Sequence, residues 1–470
     1  MSVINLRADY RRVSGLSLSV CLLAVTTHNI LPSFGIIPLT QITLLILFLI
    51  LFCNSILAQQ EVIPEKGDTV TADTPPEWNY NKYRFGGYGE ILFQQMDYGP
   101  DRYKDPAGAP SDKRSYISIP RAVFSFEYKF RPDIVFSTEL EIEYGGTGSA
   151  MELEYEEGGE YETEIEKGGE IELEQFHITK RFSNAFNIRA GHMIVPVGIT
   201  NAHHEPIFFF GTTRPEGEST ILPCTWHETG ISVLGYFSGF RYELMLVNGL
   251  DPNGFSSANW IKGGRQSIFE TSTMTNPAVA GRVEYKGIKN LRLSASGYYG
   301  NTAKNASKPQ KMTGIKAPVS IISADAQYLS KNLAVRGNFI YGNLGASKRV
   351  SQINKSVSKN TGFSRTPVAK NAMTYSIEAG YNILSFFKTK ERLMPFVRYE
   401  YYNSAENVEE GMAEMPINKR NIFTFGVNYN LLPNMVLKAD YSNRRLDGGN
   451  YNDENTFGLA LVYTGWFFKK

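Results

Sequence analysis

The sequence has few cysteines, almost no excess of charge and no hydrophobic run that could span a bilayer as a helix. Only three of its 470 residues are cysteine, and 48 basic residues stand against 47 acidic ones. The longest apolar run, residues 42–52, is far shorter than the roughly 20 residues that a membrane helix needs. These shortages argue against a disulfide framework, a bulk attraction to nucleic acid and a helical membrane protein.

The N-terminal part is typical of an export leader. A basic start is followed by the apolar run and then by residues 53–58, after which polar sequence begins at Gln59. This order predicts a signal peptide over residues 1–58 that is cleaved after Ala58, with a membrane anchor as the alternative. The leader contains two of the cysteines, so Cys224 is left alone, and the rest of the chain has 45 basic and 46 acidic residues.

The remaining sequence is rich in glycine and aromatic residues, and its apolar residues alternate with polar ones. Residues 59–82 are rich in Pro, Thr and Glu and predict a flexible periplasmic lead-in. From residue 83 to 470 we predict an all-β chain of sixteen strands, each near the ten residues that a tilted strand needs to cross a membrane. These strands are predicted near 84–95, 116–130, 133–144, 170–181, 185–195, 227–236, 239–248, 277–286, 290–300, 319–329, 332–342, 372–383, 393–403, 421–431, 434–443 and 456–468.

The connections between these strands alternate between short and long. This parity predicts a transmembrane antiparallel up-and-down β-barrel with short periplasmic turns and long extracellular loops, whereas a soluble sandwich has no reason to sort its loops. Within a strand such as 290–300, Leu291, Leu293 and Ala295 oppose Arg292 and Ser294. We predict that the apolar faces contact outer-membrane lipid and that the polar faces line the lumen.

The third long loop, residues 196–226, is the most unusual stretch. Loops of this length are usually disordered or functional, and its aromatic residues make exposure to water unfavourable, so we predict that it folds into the lumen and narrows it. Its candidate constriction residues are Arg214, Glu205, Glu216, Glu218, Phe208, Phe209 and Phe210. Inward arginines that would line the pore with them are Arg189, Arg241, Arg282, Arg292, Arg336 and Arg398.

The inward face carries at least as many carboxylates as bases, so two interpretations remain. The charges either pair across neighbouring strands and stabilise the wall, or they form an arginine ladder that guides anions.

Two groups of residues contain the side chains that a metal or catalytic site needs. His203-His204-Glu205 with His227-Glu228 could be metal ligands, and Cys224 with His227 could be a nucleophile and its base. Neither has the spacing of a known site, so we predict no catalytic residue, no metal and no cofactor.

A series of short motifs lies in and around the third loop. They are Glu172-Leu173-Glu174-Gln175-Phe176, Arg189-Ala190-Gly191, Val195-Pro196-Val197-Gly198, His204-Glu205-Pro206, Arg214-Pro215, Glu218, Ile221-Leu222-Pro223 and Trp226-His227-Glu228-Thr229-Gly230. As a series, they resemble the phosphate-selective porin O and P family, particularly its relatives in Bacteroidota. The resemblance implies a sixteen-stranded, often trimeric outer-membrane barrel of a Gram-negative cell, which passes small hydrophilic solutes by diffusion. Phosphate selectivity in that family relies on basic residues at the constriction, where this chain has only Arg214 among several acids.

Three functions follow as hypotheses. The first is a general diffusion porin for small hydrophilic solutes or ions, with no enzymatic activity. The second is a solute-specific channel that binds phosphate, another anion or an oligomer at the constriction. The third is a barrel whose charged loops, including the basic loop 343–371, serve surface adhesion.

Overall fold

The structure is a computed structural model that describes residues 80–99, 106–148, 152–154, 162–164, 169–223, 225–266, 271–308, 312–358, 366–447 and 451–470. The predicted signal peptide, most of the predicted lead-in and Cys224 lie outside these described residues. Strands dominate the described part of the chain, and no helix in it is long and apolar enough to cross a membrane.

The alternating sequence forms long antiparallel strands joined into one sheet, with a separate small hairpin in the second long connection. Three short helices lie in the connections: α1 (Ile199–Ala202), α2 (Glu216–Ile221) and α3 (Ser347–Ser358). The strands are β1 (Tyr83–Met96), β2 (Arg114–Ser118), β3 (Arg121–Arg131), β4 (Ile134–Gly148), β5 (Glu152–Glu154), β6 (Glu162–Glu164), β7 (Gly169–Arg181), β8 (Asn187–Ile194), β9 (His227–Phe237), β10 (Phe240–Asn248), β11 (Pro277–Ile288), β12 (Leu291–Asn301), β13 (Pro318–Leu329), β14 (Leu333–Leu344), β15 (Asn371–Tyr381), β16 (Arg392–Asn407), β17 (Lys419–Leu432), β18 (Met435–Leu446) and β19 (Glu454–Lys469).

The sheet closes on itself, because β1 pairs with β19 on one side and with β2 and β3 on the other. Strands β2 and β3 occupy one position of the barrel and are interrupted at Ile119 and Pro120, where proline has no N–H to donate to the ladder. The prediction of a single strand over 116–130 was therefore wrong in this detail. All neighbouring pairs are antiparallel, and the predicted closed barrel of sixteen strand positions is confirmed.

The two faces of the strands are sorted as predicted. In β12, the outward side chains of Leu293 and Tyr299 are 42% and 61% exposed, whereas the inward Arg292 is 3% exposed. Exposed aromatic side chains also gather at the short turns, where Phe182 contacts Phe186 at 5.5 Å between ring centroids. An apolar outer surface that ends in aromatic rings is the surface that a bilayer and its interface require.

Two of the long connections contain structure that the sequence did not predict. Strands β5 and β6 pair inside the stretch 145–169, and α3 lies inside the stretch 343–371. In α3, Val350 and Ile353 are spaced by three residues and are both buried, so they share one face of the helix. The basic charges of this stretch concealed that short apolar pattern.

An apolar core lies inside the barrel, towards the ends of the strands that carry the long connections. Inward side chains of β10 to β15 pack there against α3 and against residues of the connections, including Trp226, Phe255 and Trp260, each fully buried. The prediction that polar side chains line the whole lumen was therefore wrong at the end of the barrel that carries the long connections. Ala278 and Ala280, on either side of the outward Val279, have small side chains that give the connections room to pack against the wall.

Candidate constriction site

The inner loop, defined here as residues 196–226, begins and ends at adjacent points of the wall. The N–H of Val195 donates to the carbonyl of Trp226 at 2.8 Å, which brings the ends of β8 and β9 together. The chain turns into the barrel at Gly198, whose φ of 83° is in the left-handed region. A Cβ at this position would lie 2.2 Å from Glu218 Oε1, so only glycine fits here.

Glu218 joins the two short helices of the inner loop to the wall. Its Oε1 accepts from the N–H of Asn201 in α1 at 2.8 Å, and its Oε2 accepts from the side-chain amide of Asn338 in β14 at 2.7 Å. The Glu218 side chain is 2% exposed. A carboxylate with both oxygens satisfied at this depth fixes the position of α2 relative to α1.

The tip of the inner loop is held by β18. Lys438 Nζ donates to the carbonyl oxygens of Pro206 at 2.6 Å, Phe209 at 2.6 Å and Gly211 at 3.0 Å. Asp440, two residues along the same inward face, accepts from the N–H of Thr212 at 2.6 Å. A loop that leaves from β8 and is bound by β18 must cross the inside of the barrel.

The predicted acidic residues of the inner loop act as anchors. Glu216 accepts from Arg444 Nε at 2.8 Å and from the Tyr402 hydroxyl at 2.6 Å, and Glu205 accepts from the Thr464 hydroxyl at 2.6 Å. Arg214 donates to the Thr225 hydroxyl at 3.1 Å and is half-buried. Arg214, Glu216 and Glu205 are all half-buried, so each is partly exposed while it holds the loop in place.

Two of the three phenylalanines, Phe209 and Phe210, also contact the wall. Phe210 stacks on Phe396 with 5.2 Å between ring centroids, and Lys438 Nζ lies 4.4 Å from the centroid of Phe209. Phe209 and Phe210 are each 5% exposed. They cannot offer stacking surfaces to a passing solute without the loop moving, and Phe208, half-buried, packs edge-on against His203.

The inward arginines lie against carboxylates, which agrees with the interpretation that charges pair along the wall. Arg292 differs, because its Nη1 lies 2.7 Å from His203 Nε2 in the inner loop. Together these contacts leave few of the predicted arginines open to an anion. The pairs are Arg189 with Glu243 at 3.2 Å, Arg241 with Glu284 at 3.9 Å, Arg282 with Glu284 at 2.8 Å and with Asp325 at 2.9 Å, Arg336 with Glu378 at 2.8 Å, and Arg398 with Glu400 at 2.8 Å.

Sequence reasoning missed Arg444, which holds the constriction, and it placed Lys438 and Asp440 on the inward face without giving them a role there. Their inward orientation could be read from strand periodicity, but their partners lie more than 200 residues earlier in the chain. The histidines also have partners that spacing does not reveal. His227 Nδ1 lies 2.5 Å from His192 Nε2, and His227 Nε2 lies 3.3 Å from Glu172.

The attachment of the inner loop through Glu218 should weaken as the pH rises. Burial raises the pKa of Glu218 above its ordinary value of 4.5, although the N–H of Asn201 opposes that shift. A raised carboxyl pKa means that the attached loop binds a proton more tightly than the released loop does. Below the ordinary pKa of a glutamate, the protonated Glu218 keeps the attachment at its full stability. As the pH rises through the raised pKa of Glu218, this stability is lost.

Single-channel recordings can check this prediction. We expect closed periods to be several-fold longer at about pH 5 than at about pH 8, with a smaller difference in Glu218→Gln, which has no proton to lose. An equal pH response in the variant and the wild type would show that other groups control the loop.

No family model matches the chain. A relative from Aquifex aeolicus (strain VF5), described as an uncharacterized protein, is 27% identical over 386 residues, which cover 82% of this chain and 79% of the relative. The chain also resembles solved structures over 82% of its length.

Three of these structures have a TM-score of 0.50. The anion-selective porin from Comamonas acidovorans is 11% identical with 99% of its chain covered. OmpF of Salmonella typhi, in complex with daunomycin, is 14% identical with 98% covered, and Pseudomonas putida OprB at high pH is 10% identical with 94% covered. At such identities the likeness concerns the fold, so the chain has the closed barrel fold of the outer-membrane porins.

Proposed function

We propose that the chain is an outer-membrane porin through which small hydrophilic solutes and ions diffuse passively. Residues 1–58 are its signal peptide, 59–82 a periplasmic lead-in and 83–470 the barrel. The observation that carries the proposal is a closed barrel, apolar outside and charged inside, with a loop bound across its interior. Burying charged side chains is costly, so a barrel that served only as a scaffold would have no reason to place them along its inner wall.

The inner loop makes this a narrow porin. Inward charged side chains such as Arg121, Glu400 and Lys438 are 3%, 1% and 1% exposed, although a wide water-filled pore would hydrate them. Solutes would therefore pass beside the inner loop, and larger ones would need its attachments to open. The short turns face the periplasm and the long connections the outside.

The pairing of arginines with carboxylates along the inner wall favours weak ion selectivity. Because most of the predicted arginines already lie against a carboxylate, the fixed charges nearly cancel along the path. We expect clear current steps from the purified protein in a planar bilayer and a reversal potential near zero across a salt gradient. Charge rings that are not balanced in this way would displace the reversal potential.

Two results would contradict this proposal. Strong anion preference, with phosphate blocking the chloride current, would favour a solute-specific channel that uses Arg214. An absence of current steps from demonstrably folded protein would refute transport. In that case adhesion would have to be reconsidered, although α3 of the basic connection is already used to cover the apolar core.

The other expectations extend the same proposal. Outer-membrane lipid would surround the apolar face. The barrel would assemble as a homotrimer, as members of the family that the sequence resembles often do. Phosphate specificity is not proposed, because Arg214 remains the one base among the acids of the constriction set. Neither an enzymatic role nor a cofactor is part of the proposal.

A further inference from the structure

A group of two glutamates and one histidine, of which Glu139 is half-buried and Glu174 and His204 are buried, lies where the inner loop meets the wall. Glu139 is on β4, Glu174 is on β7, and His204 follows α1. One oxygen of each carboxylate and one ring nitrogen lie within 4.8 Å of one another. Glu174 is fully buried and His204 is 7% exposed, so both are more than nine-tenths removed from solvent.

A β-bulge turns Glu174 towards this group. The ladder between β4 and β7 pairs Glu139 with Gln175 and then Leu140 with Leu173, which leaves Glu174 as the extra residue. Bulges of this kind redirect a side chain locally and are frequent beside functional sites. Without the bulge, the alternation of β7 could not point both Glu174 and Gln175 away from the outer surface.

The ring of His204 presents a free lone pair to the two carboxylates. Its Nδ1 lies 3.3 Å from the carbonyl oxygen of Asn201, which can only accept, so Nδ1 carries the proton. The other nitrogen, Nε2, has no hydrogen-bond partner and lies 3.8 Å from Glu174 Oε2.

The carboxylates carry more negative charge than their protein partners offset. Glu139 accepts from Ser125 and Gln175, and Glu174 accepts from the hydroxyl of Tyr88 at 3.0 Å, all of which are neutral groups. Glu174 Oε1 has no hydrogen-bond partner. The nearby guanidinium, that of Arg121, is already shared by two other carboxylates, Glu90 at 3.5 Å and Glu141 at 3.6 Å.

We propose that Glu139, Glu174 and His204 bind a divalent transition-metal ion, with Zn²⁺ as the best match. Zn²⁺ accepts carboxylate oxygen and neutral imidazole nitrogen together, whereas Ca²⁺ and Mg²⁺ prefer oxygen ligands alone. A histidine that binds a metal usually donates a hydrogen bond from its other ring nitrogen, as His204 Nδ1 does to the carbonyl oxygen of Asn201. The bound ion links the inner loop to β4 and β7, in addition to its contacts with β14, β16, β18 and β19.

The test uses the full barrel purified from membranes, stripped with a chelator and then titrated with Zn²⁺. We expect one Zn²⁺ per chain by mass spectrometry, a higher melting temperature with the metal, and little competition from Ca²⁺. Glu174→Gln and His204→Gln should each weaken zinc binding at least about ten-fold. Glu170→Gln is the matched control, because Glu170 is exposed on the same strand and outside the group.

Each outcome is decisive for the site. Zinc binding that is equal in Glu174→Gln and Glu170→Gln would overturn the proposal, as would folded wild-type protein that binds no zinc or binds Ca²⁺ equally well. If Glu174→Gln does not fold, the chelated wild type still gives the answer through recovery of its melting temperature on zinc addition. Binding is measured whether or not the barrel conducts, so failure of this site and failure of the porin proposal are separable.

Discussion

Replacing residues 203–215 of the inner loop with a short Gly-Ser linker should raise the single-channel conductance several-fold. The segment contains the tip that Lys438 and Asp440 bind across the lumen, so its loss removes the obstruction and hydrates the wall. The flanking helices stay linked through Asn201 and Glu218, whose hydrogen bond of 2.8 Å shows that a short linker can close the gap. Conductance in a planar bilayer at fixed salt is the measurement.

A matched control separates this effect from general disturbance of the barrel. The same linker in place of residues 409–414, in the connection between β16 and β17, should leave the conductance near the wild-type value. Both variants must first show the mobility of folded barrel on unheated gels. If the folded inner-loop variant conducts like the wild type, the inner loop is not the constriction.

The barrel could be predicted because its physics is periodic and local. A strand that faces lipid on one side and polar groups on the other must alternate apolar and polar side chains. Neighbouring antiparallel strands can be joined by short turns, so strand ends can be recognised from the sequence. The strand from Leu291 to Asn301 shows this directly, since its outward and inward residues were separable by parity alone. The error at Ile119 and Pro120 arose because one break in pairing does not disturb the alternation around it.

The interior could not be predicted in the same way, because it depends on contacts between distant parts of the chain. Trp260 and Phe255 lie in the connection between β10 and β11, which the strand pattern predicts only as a long extracellular loop, yet they fill the barrel beside Ile340 and Leu344. Nothing in the local pattern distinguishes an apolar residue that packs inside from one that lies in a loop. For the same reason, the metal-ligand search by sequence spacing considered His204 with its neighbours and not with Glu139 or Glu174.

Lys438→Met should destabilise the barrel by several kcal/mol, because each buried carbonyl left without its donor costs about 1–3 kcal/mol. Lys438 is 1% exposed, and its ammonium group satisfies the carbonyl oxygens of Pro206, Phe209 and Gly211. Methionine keeps most of the volume but leaves these carbonyls without their donor. Equilibrium unfolding in urea, followed by tryptophan fluorescence, gives the free energy of unfolding.

Lys286→Met is the matched control for this prediction, because Lys286 lies 3.8 Å from Glu284 and its side chain is 22% exposed. Its loss should cost within about 1 kcal/mol, as is usual for partly hydrated ion pairs. A sharper check combines Lys438→Met with the linker that replaces residues 203–215. In that background Lys438 faces the hydrated lumen and no longer has its three carbonyl partners, so methionine should cost within about 1 kcal/mol. If Lys438→Met instead costs the same with and without the inner loop, Lys438 supports the wall rather than the constriction.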